Sequence, residues 1–155
     1  MRYFTAICML FLVSGSCLAM DPLETEAPVK VFASEEPFED LVENIKMAII
    51  EQGLLVSGTL HVSDMLNRTA PDLGYKEIFK KAESVEFCSA LISHKMAQAA
   101  PENIAICPFT IAVYQRHADP DRVYLSYRVP ILAGSGDQVA EEIVTLMEEI
   151  IEDSI

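Results

Sequence analysis

"NIAICPFTIAVYQRHADPDRVYLSYRVP", Asn103 to Pro130, decides the fold. Cys107, Phe109, Ile111 and Val113 fall on alternate positions of a run rich in β-branched and aromatic residues, the period-two pattern of a strand with one buried face. "RVYLSYRVP" repeats the pattern, setting Leu125 and Tyr127 opposite Tyr124, Ser126 and Arg128. The intervening "RHADPD" is made of turn residues, so the two runs are predicted to pair as an antiparallel hairpin. Pro108 has no N–H to give to a ladder, which predicts that the first strand lies at a sheet edge or is bulged there.

Upstream of the hairpin, "SVEF" (Ser84 to Phe87) is a short strand leading into "CSALISHKMAQAA". That segment is helical by composition, puts Ile92, Met96 and Ala99 on one face, and is stopped by Pro101. "SDMLNRTAPDLGYKEIFKKAES" (Ser63 to Ser84) contains Pro71 and Gly74 and is predicted as a short helix, a turn and a second helical piece. "LLVSGTLHV" (Leu54 to Val62) alternates, with Leu54, Val56, Leu60 and Val62 expected on one face and Ser57, Thr59 and His61 on the other.

"SEEPFEDLVENIKMAIIEQG" carries Phe38, Leu41, Val42, Ile45, Ala48 and Ile49 at helical spacing, with Ser34 or Glu36 as the expected cap, Pro37 where proline is tolerated, and Gly53 as the stop. "VKVFA" before it suits a first strand. At the other end, after the loop "ILAGSG", Asp137 is expected to cap a helix whose Val139, Ile143, Met147, Ile150 and Ile151 face the core. The order is a strand, a long helix, four strands with short helical insertions, and a long helix. It predicts an α+β two-layer sandwich, a mainly antiparallel sheet packed by two long helices.

The chain has 155 residues, the size of one domain. Its start, "MRYFTAICMLFLVSGSCLAM", has Arg2, an apolar run from Tyr3 to Val13, and then small residues: a secretory signal peptide expected to be cut after Ala19. The run is too short for a bilayer core, so no integral span is expected in the mature protein. A rival reading lipidates Cys17 in "SGSC", although Ser14 stands where that signal usually has leucine. Residues 20–27 are expected to form a flexible leader and residues 28–155 a single α+β domain, in the periplasm or outside the cell. The net charge is -13, with acidic residues gathered in "DPLETEAP", "SEEPFED" and "EEIIED". Such a surface repels phosphate backbones and argues against nucleic-acid binding.

At this point the chain resembles the domain-of-unknown-function 302 family, and within it a secreted branch. The likeness rests on "FEDLVENIKMAIIEQGLLV", "VEFCSALISHKM", "PENIAICPFTIAVYQ" and "VYLSYRVP", over about Val29 to Glu152. The "EFC" to "ICPF" block with "SYRVP" downstream is its most specific part. The resemblance implies a fold similar to that of the TATA-binding protein, one sheet gripped by helices. It brings no general activity, though members occur often in bacteria with inorganic sulfur metabolism. Fold likeness to a DNA binder transfers no function to a chain this acidic.

Four residues stand out as candidate site residues. Cys107 shares its strand face with Phe109, Ile111 and Val113, a packing position. Cys88 is expected at the first turn of a helix, where backbone N–H groups favour a thiolate, and so is the better nucleophile. A Cys88–Cys107 disulfide, closing a loop of about 18 residues, is the alternative and would stabilise by about 3 kcal/mol. His94 lies about 200° around the helix from Ile92 and points off the core, toward solvent, a partner, or a metal or haem iron. Arg128, beside Tyr124 and Ser126, forms a polar set able to hold an anion.

CxxC, CxxCH and HExxH are missing, as is any recognisable local motif of a Ser-His-Asp hydrolase or a phosphate loop. Two classes of function therefore stand. One is a non-enzymatic small-ligand-binding domain, homodimeric, with a link to sulfur metabolism or to haem. The other is a thiol–disulfide or sulfur-carrier protein using Cys88 and Cys107. A third reading is an envelope protein-interaction module.

Overall fold

Five antiparallel strands form one sheet, and the computed structural model describes it within residues 22, 23, 25 and 27–155. The expected signal peptide and the candidate lipidation site Cys17 lie outside those residues. The elements run β1 (Val29–Ser34), α1 (Phe38–Glu51), β2 (Leu55–His61), α2 (Val62–Leu73), β3 (Phe79–Cys88), α3 (Ala90–Ala99), a 3-10 turn (Pro101–Ile106), β4 (Phe109–Arg116), β5 (Asp119–Arg128) and α4 (Asp137–Glu152). The strands lie in the order β1-β5-β4-β3-β2. In sequence this is the predicted α+β arrangement.

Burial on one sheet face explains why these elements assemble. Val85 and Phe87 from β3, Phe109, Ile111 and Val113 from β4, and Val123, Leu125 and Tyr127 from β5 form the floor of the core. Leu41, Ile45 and Ile49 of α1, Ile92 and Met96 of α3, and Ile143, Met147, Ile150 and Ile151 of α4 close over it. Each large apolar side chain so buried is worth about 1.5–3 kcal/mol. The six apolar positions read from the α1 sequence are all buried. Gly53 at φ 74 ends α1, with its N–H on Ile50 C=O and Leu54 N–H on Ile49 C=O.

Tertiary pairing overrides local preference in several places. "KEIFKKAES" is not a second helical piece: from Phe79 it is the first half of β3, paired with Arg116, Gln115 and Tyr114 of β4. Helix-favouring Lys, Ala and Glu yield there to ladder hydrogen bonds that only the completed sheet supplies. "NIAI" is a 3-10 turn rather than strand, and β4 begins after Pro108. That also corrects the edge expectation, since β4 sits between β3 and β5 and the proline is outside its ladder.

A bulge between Val56 and Gly58 resets the alternation of β2, so Val56 and Thr59 pair with the core-facing Phe87 and Val85, while Leu60 pairs with Ser84 and is half exposed. Val62 opens α2.

The expected caps differ as well. Pro37 stands at the α1 cap with no side-chain bond, and Ser34 Oγ instead accepts from Glu36 N–H. Gly136 precedes α4, with Asp137 as its first residue. Near the N-terminus, Leu23 N–H donates to Val31 C=O at 2.6 Å, so this part of the leader lies along β1. Among the described residues no helix is long and apolar enough to cross a membrane.

Candidate functional site

The segment Ile106–Thr110 links the 3-10 turn to β4, and the candidate chemistry lies on both of its sides. Cys107 packs against the core cluster, half-buried, directly before a cis Pro108. Its Sγ is 3.6 Å from Ser93 Oγ on α3. Cys88 ends β3, which pairs with β4 through Phe87 and Phe109, and this register brings the Cys88 thiol against that of Cys107. Both thiols are free.

Burial first, and the Cys107 thiol second, push Cys88 up to about 11, while a hydrogen bond with Phe109 N–H works the other way. Cys88 therefore stays protonated at neutral pH. The expected helix-start thiolate is corrected: Ser89 is the cap of α3, its Oγ accepting from Ile92 N–H, and Cys88 lies one residue before it in the strand.

On the other side of the segment the sheet is split. β4 pairs with β3 from Phe109 onward and β1 pairs with β5 as far as Arg128. The ladder between β4 and β5, however, starts only at Ala112 opposite Ser126. Phe109 to Ile111 and Tyr127 to Arg128 thus have no partner across this gap. A cavity of about 440 Å³ occupies it, in the size range of small-ligand sites. Its floor is Ile143 and Met147 of α4, its rim includes Ile106, Pro108 and Pro130, and its polar side chains are Thr110, Ser126, Arg128 and Tyr127, whose hydroxyl donates to Glu148, itself paired with Lys30.

Arg128 is exposed and makes no ion pair or side-chain hydrogen bond among the described residues. Glu86 on β3, beyond β4, leans toward β2, its Oε2 lying 3.3 Å from where a Cβ on Gly58 would be. In a chain of net charge -13 an exposed guanidinium is a local attractor for anions.

Tyr124 does not join Arg128 as the sequence suggested. It is buried further along β5, stacked on Tyr114, with its hydroxyl bonded to Asp119 and Arg116. Thr110 takes its place in the polar set. Sequence alternation missed Thr110 because only the break in the ladder turns it toward a cavity.

A second cavity, of about 420 Å³, lies between α2 and the start of β3 and is walled by Leu66, Leu73, Tyr75 and Ile78. A third, of about 380 Å³, runs along Glu141, Glu142, Thr145 and Glu149 on α4. His94 is exposed on α3 as expected, but it lines none of these three. No three His, Cys, Asp or Glu side chains converge as a metal-binding group among the described residues. His94, Cys88 and Arg128 are thus three separate places, with Cys88 joined only to Cys107.

The architecture defines a class, an α+β domain with one five-stranded antiparallel sheet and helices closing one face. The chain belongs to the family described as domain of unknown function DUF302, whose model matches residues 30–154. A crystal structure of an uncharacterized conserved DUF302 protein from Bacillus stearothermophilus superposes with a TM-score of 0.67 at 13% identity, covering 83% of this chain and 98% of that one. At that identity the likeness speaks for the fold. No curated protein matches the chain.

Proposed function

We propose that this is a non-enzymatic binding domain whose small ligand occupies the slot between β4 and β5. The observation that supports it is the interrupted ladder, which opens a cavity to Arg128, unpaired among the described residues, while keeping an apolar floor. Cavities of this build, mostly apolar with a few convergent polar groups, are where small molecules bind. The reading carries with it the periplasmic or extracellular compartment of the leader. Through the family's association with sulfur metabolism it also makes inorganic sulfur oxyanions one ligand class to test. Thermal-shift screening of the full domain against small organic molecules and inorganic anions, with Ala112→Trp to fill the slot, tests it. A shift lost in that variant supports the reading; a domain indifferent to every compound sinks it.

The contact between Cys88 and Cys107 supports a second reading, a reversible dithiol. The raised Cys88 thiol slows disulfide exchange and sulfur transfer alike, since the thiolate is the reacting species in both. Mass spectrometry with alkylation decides between them: a pair that stays reduced under a glutathione disulfide buffer removes the dithiol, and a persulfide on Cys88 would restore the carrier. For a protein-interaction role, the apolar walls of the α2 cavity are the surface a partner or a second copy would cover. Sedimentation of the purified domain tests the homodimer.

A further inference from the structure

We infer that the slot takes a short linear organic anion, its carboxylate at Arg128 and its apolar chain running inward over Met147 and Ile143. This rests on the reading of the slot as a binding site and names the ligand class. The argument is one of matching surfaces. At the mouth, Arg128 offers a planar fork of donors without a carboxylate partner among the described residues, and Thr110 and Ser126 add hydroxyls to the same lining. A guanidinium fork suits a carboxylate because two parallel N–H···O bonds form at once.

Inside, the lining is mostly carbon, from Phe109, Ile143 and Met147, with the Tyr127 hydroxyl already held by Glu148. An inorganic oxyanion meets donors only at the mouth and leaves the apolar interior unfilled, and drawn further in it would lose water with little to replace it. A neutral apolar molecule would leave the mouth unmatched. Only a ligand that is charged at one end and apolar along the rest satisfies both surfaces.

The space agrees with this class. A volume of about 440 Å³ is in the range of small-ligand sites and has room for a chain of several methylenes. The edges of β4 and β5 that lack a ladder run along both sides of the slot, so a chain lying between them is flanked by backbone as well as side chains. An extended ligand is therefore favoured over a compact one.

Calorimetry and thermal shift with hexanoate, octanoate, octanol, phosphate and thiosulfate on the full domain test the inference. Saturable alkanoate binding is expected, with octanoate about fifteenfold tighter than hexanoate, since each buried methylene contributes about fourfold. Arg128→Gln should weaken octanoate at least tenfold and leave octanol unchanged, and Ala112→Trp should abolish alkanoate binding. The thermal midpoint of each ligand-free variant establishes that it is folded.

Octanol binding as tightly as octanoate, or phosphate or thiosulfate binding where alkanoates do not, overturns the ligand class and leaves the slot a binding site. Alkanoate binding untouched by both variants overturns the placement. Failure of every probe, charged or neutral, overturns the binding reading as well.

Discussion

Asn103 holds both backbone groups of Ala133: its Oδ1 accepts from Ala133 N–H at 2.7 Å and its Nδ2 donates to Ala133 C=O at 3.1 Å. The same Nδ2 donates to Met96 C=O at 3.2 Å. A buried side chain from the 3-10 turn thus ties the loop before α4 to the end of α3, beside the entrance of β4. Asn103→Ala takes this partner from both backbone groups of Ala133, while Met96 C=O keeps the N–H of Ala100. Urea denaturation should show a loss of about 2–3 kcal/mol, and a loss below about 0.5 kcal/mol would mean that water takes over the site.

Gly134 sits in the same loop at φ +69, and an added Cβ would come 2.4 Å from Ala99 C=O. Gly74, at φ +71, has nothing within 4 Å. Both positions disfavour a side chain by about 1–2 kcal/mol through the backbone alone. Gly134→Ala is expected to cost clearly more than Gly74→Ala, because the carbonyl of Ala99 must move as well. Equal midpoints for the two variants would show that the loop yields freely.

Cys88 and Cys107 should close a disulfide under oxidised glutathione, two thiols giving up two hydrogens to the glutathione disulfide. The product is lighter by those hydrogens in mass spectrometry and is not alkylated without reductant. Loop closure should stabilise the domain by about 3 kcal/mol. A destabilised oxidised form would show that the neighbouring thiols do not have bonding geometry.

Burial and Cys107 raise Cys88 from 9.0 to about 11 in the folded chain. The folded state therefore favours the neutral thiol, and its stability from this group is complete below pH 9 and is lost as pH rises toward 11. Tyr127, also raised by burial and by Glu148, weakens the fold at still higher pH. The difference between wild type and Cys88→Ser isolates the thiol. It should be flat below pH 9 and drift in favour of the serine variant between pH 9 and 11; a flat difference throughout that window would refute the buried thiol.

Much of the fold was legible because periodicity reports burial on one element at a time. The six buried positions of α1, the Ile92 and Met96 face of α3, and the stripe of α4 follow from 3.6-residue spacing alone. All five strands, the hairpin of β4 and β5, and His94 pointing off the core are of the same kind. What failed were features set by a neighbour: the β3 start in "KEIFKK", the bulge in β2, and the protonated state of Cys88.

The sequence by itself determined the α+β class, the element order, the acidic surface and the family resemblance, since each is a property of local pattern or composition. Tertiary structure alone decided that Cys88 meets Cys107, that Asn103 clamps Ala133, and that β4 and β5 part at Ala112 and Ser126 to open the slot beneath Arg128. The physical reason is common to all three. Each depends on the register and spacing of segments distant in the chain, which are set when helices and strands pack against one another and which no single run of residues encodes.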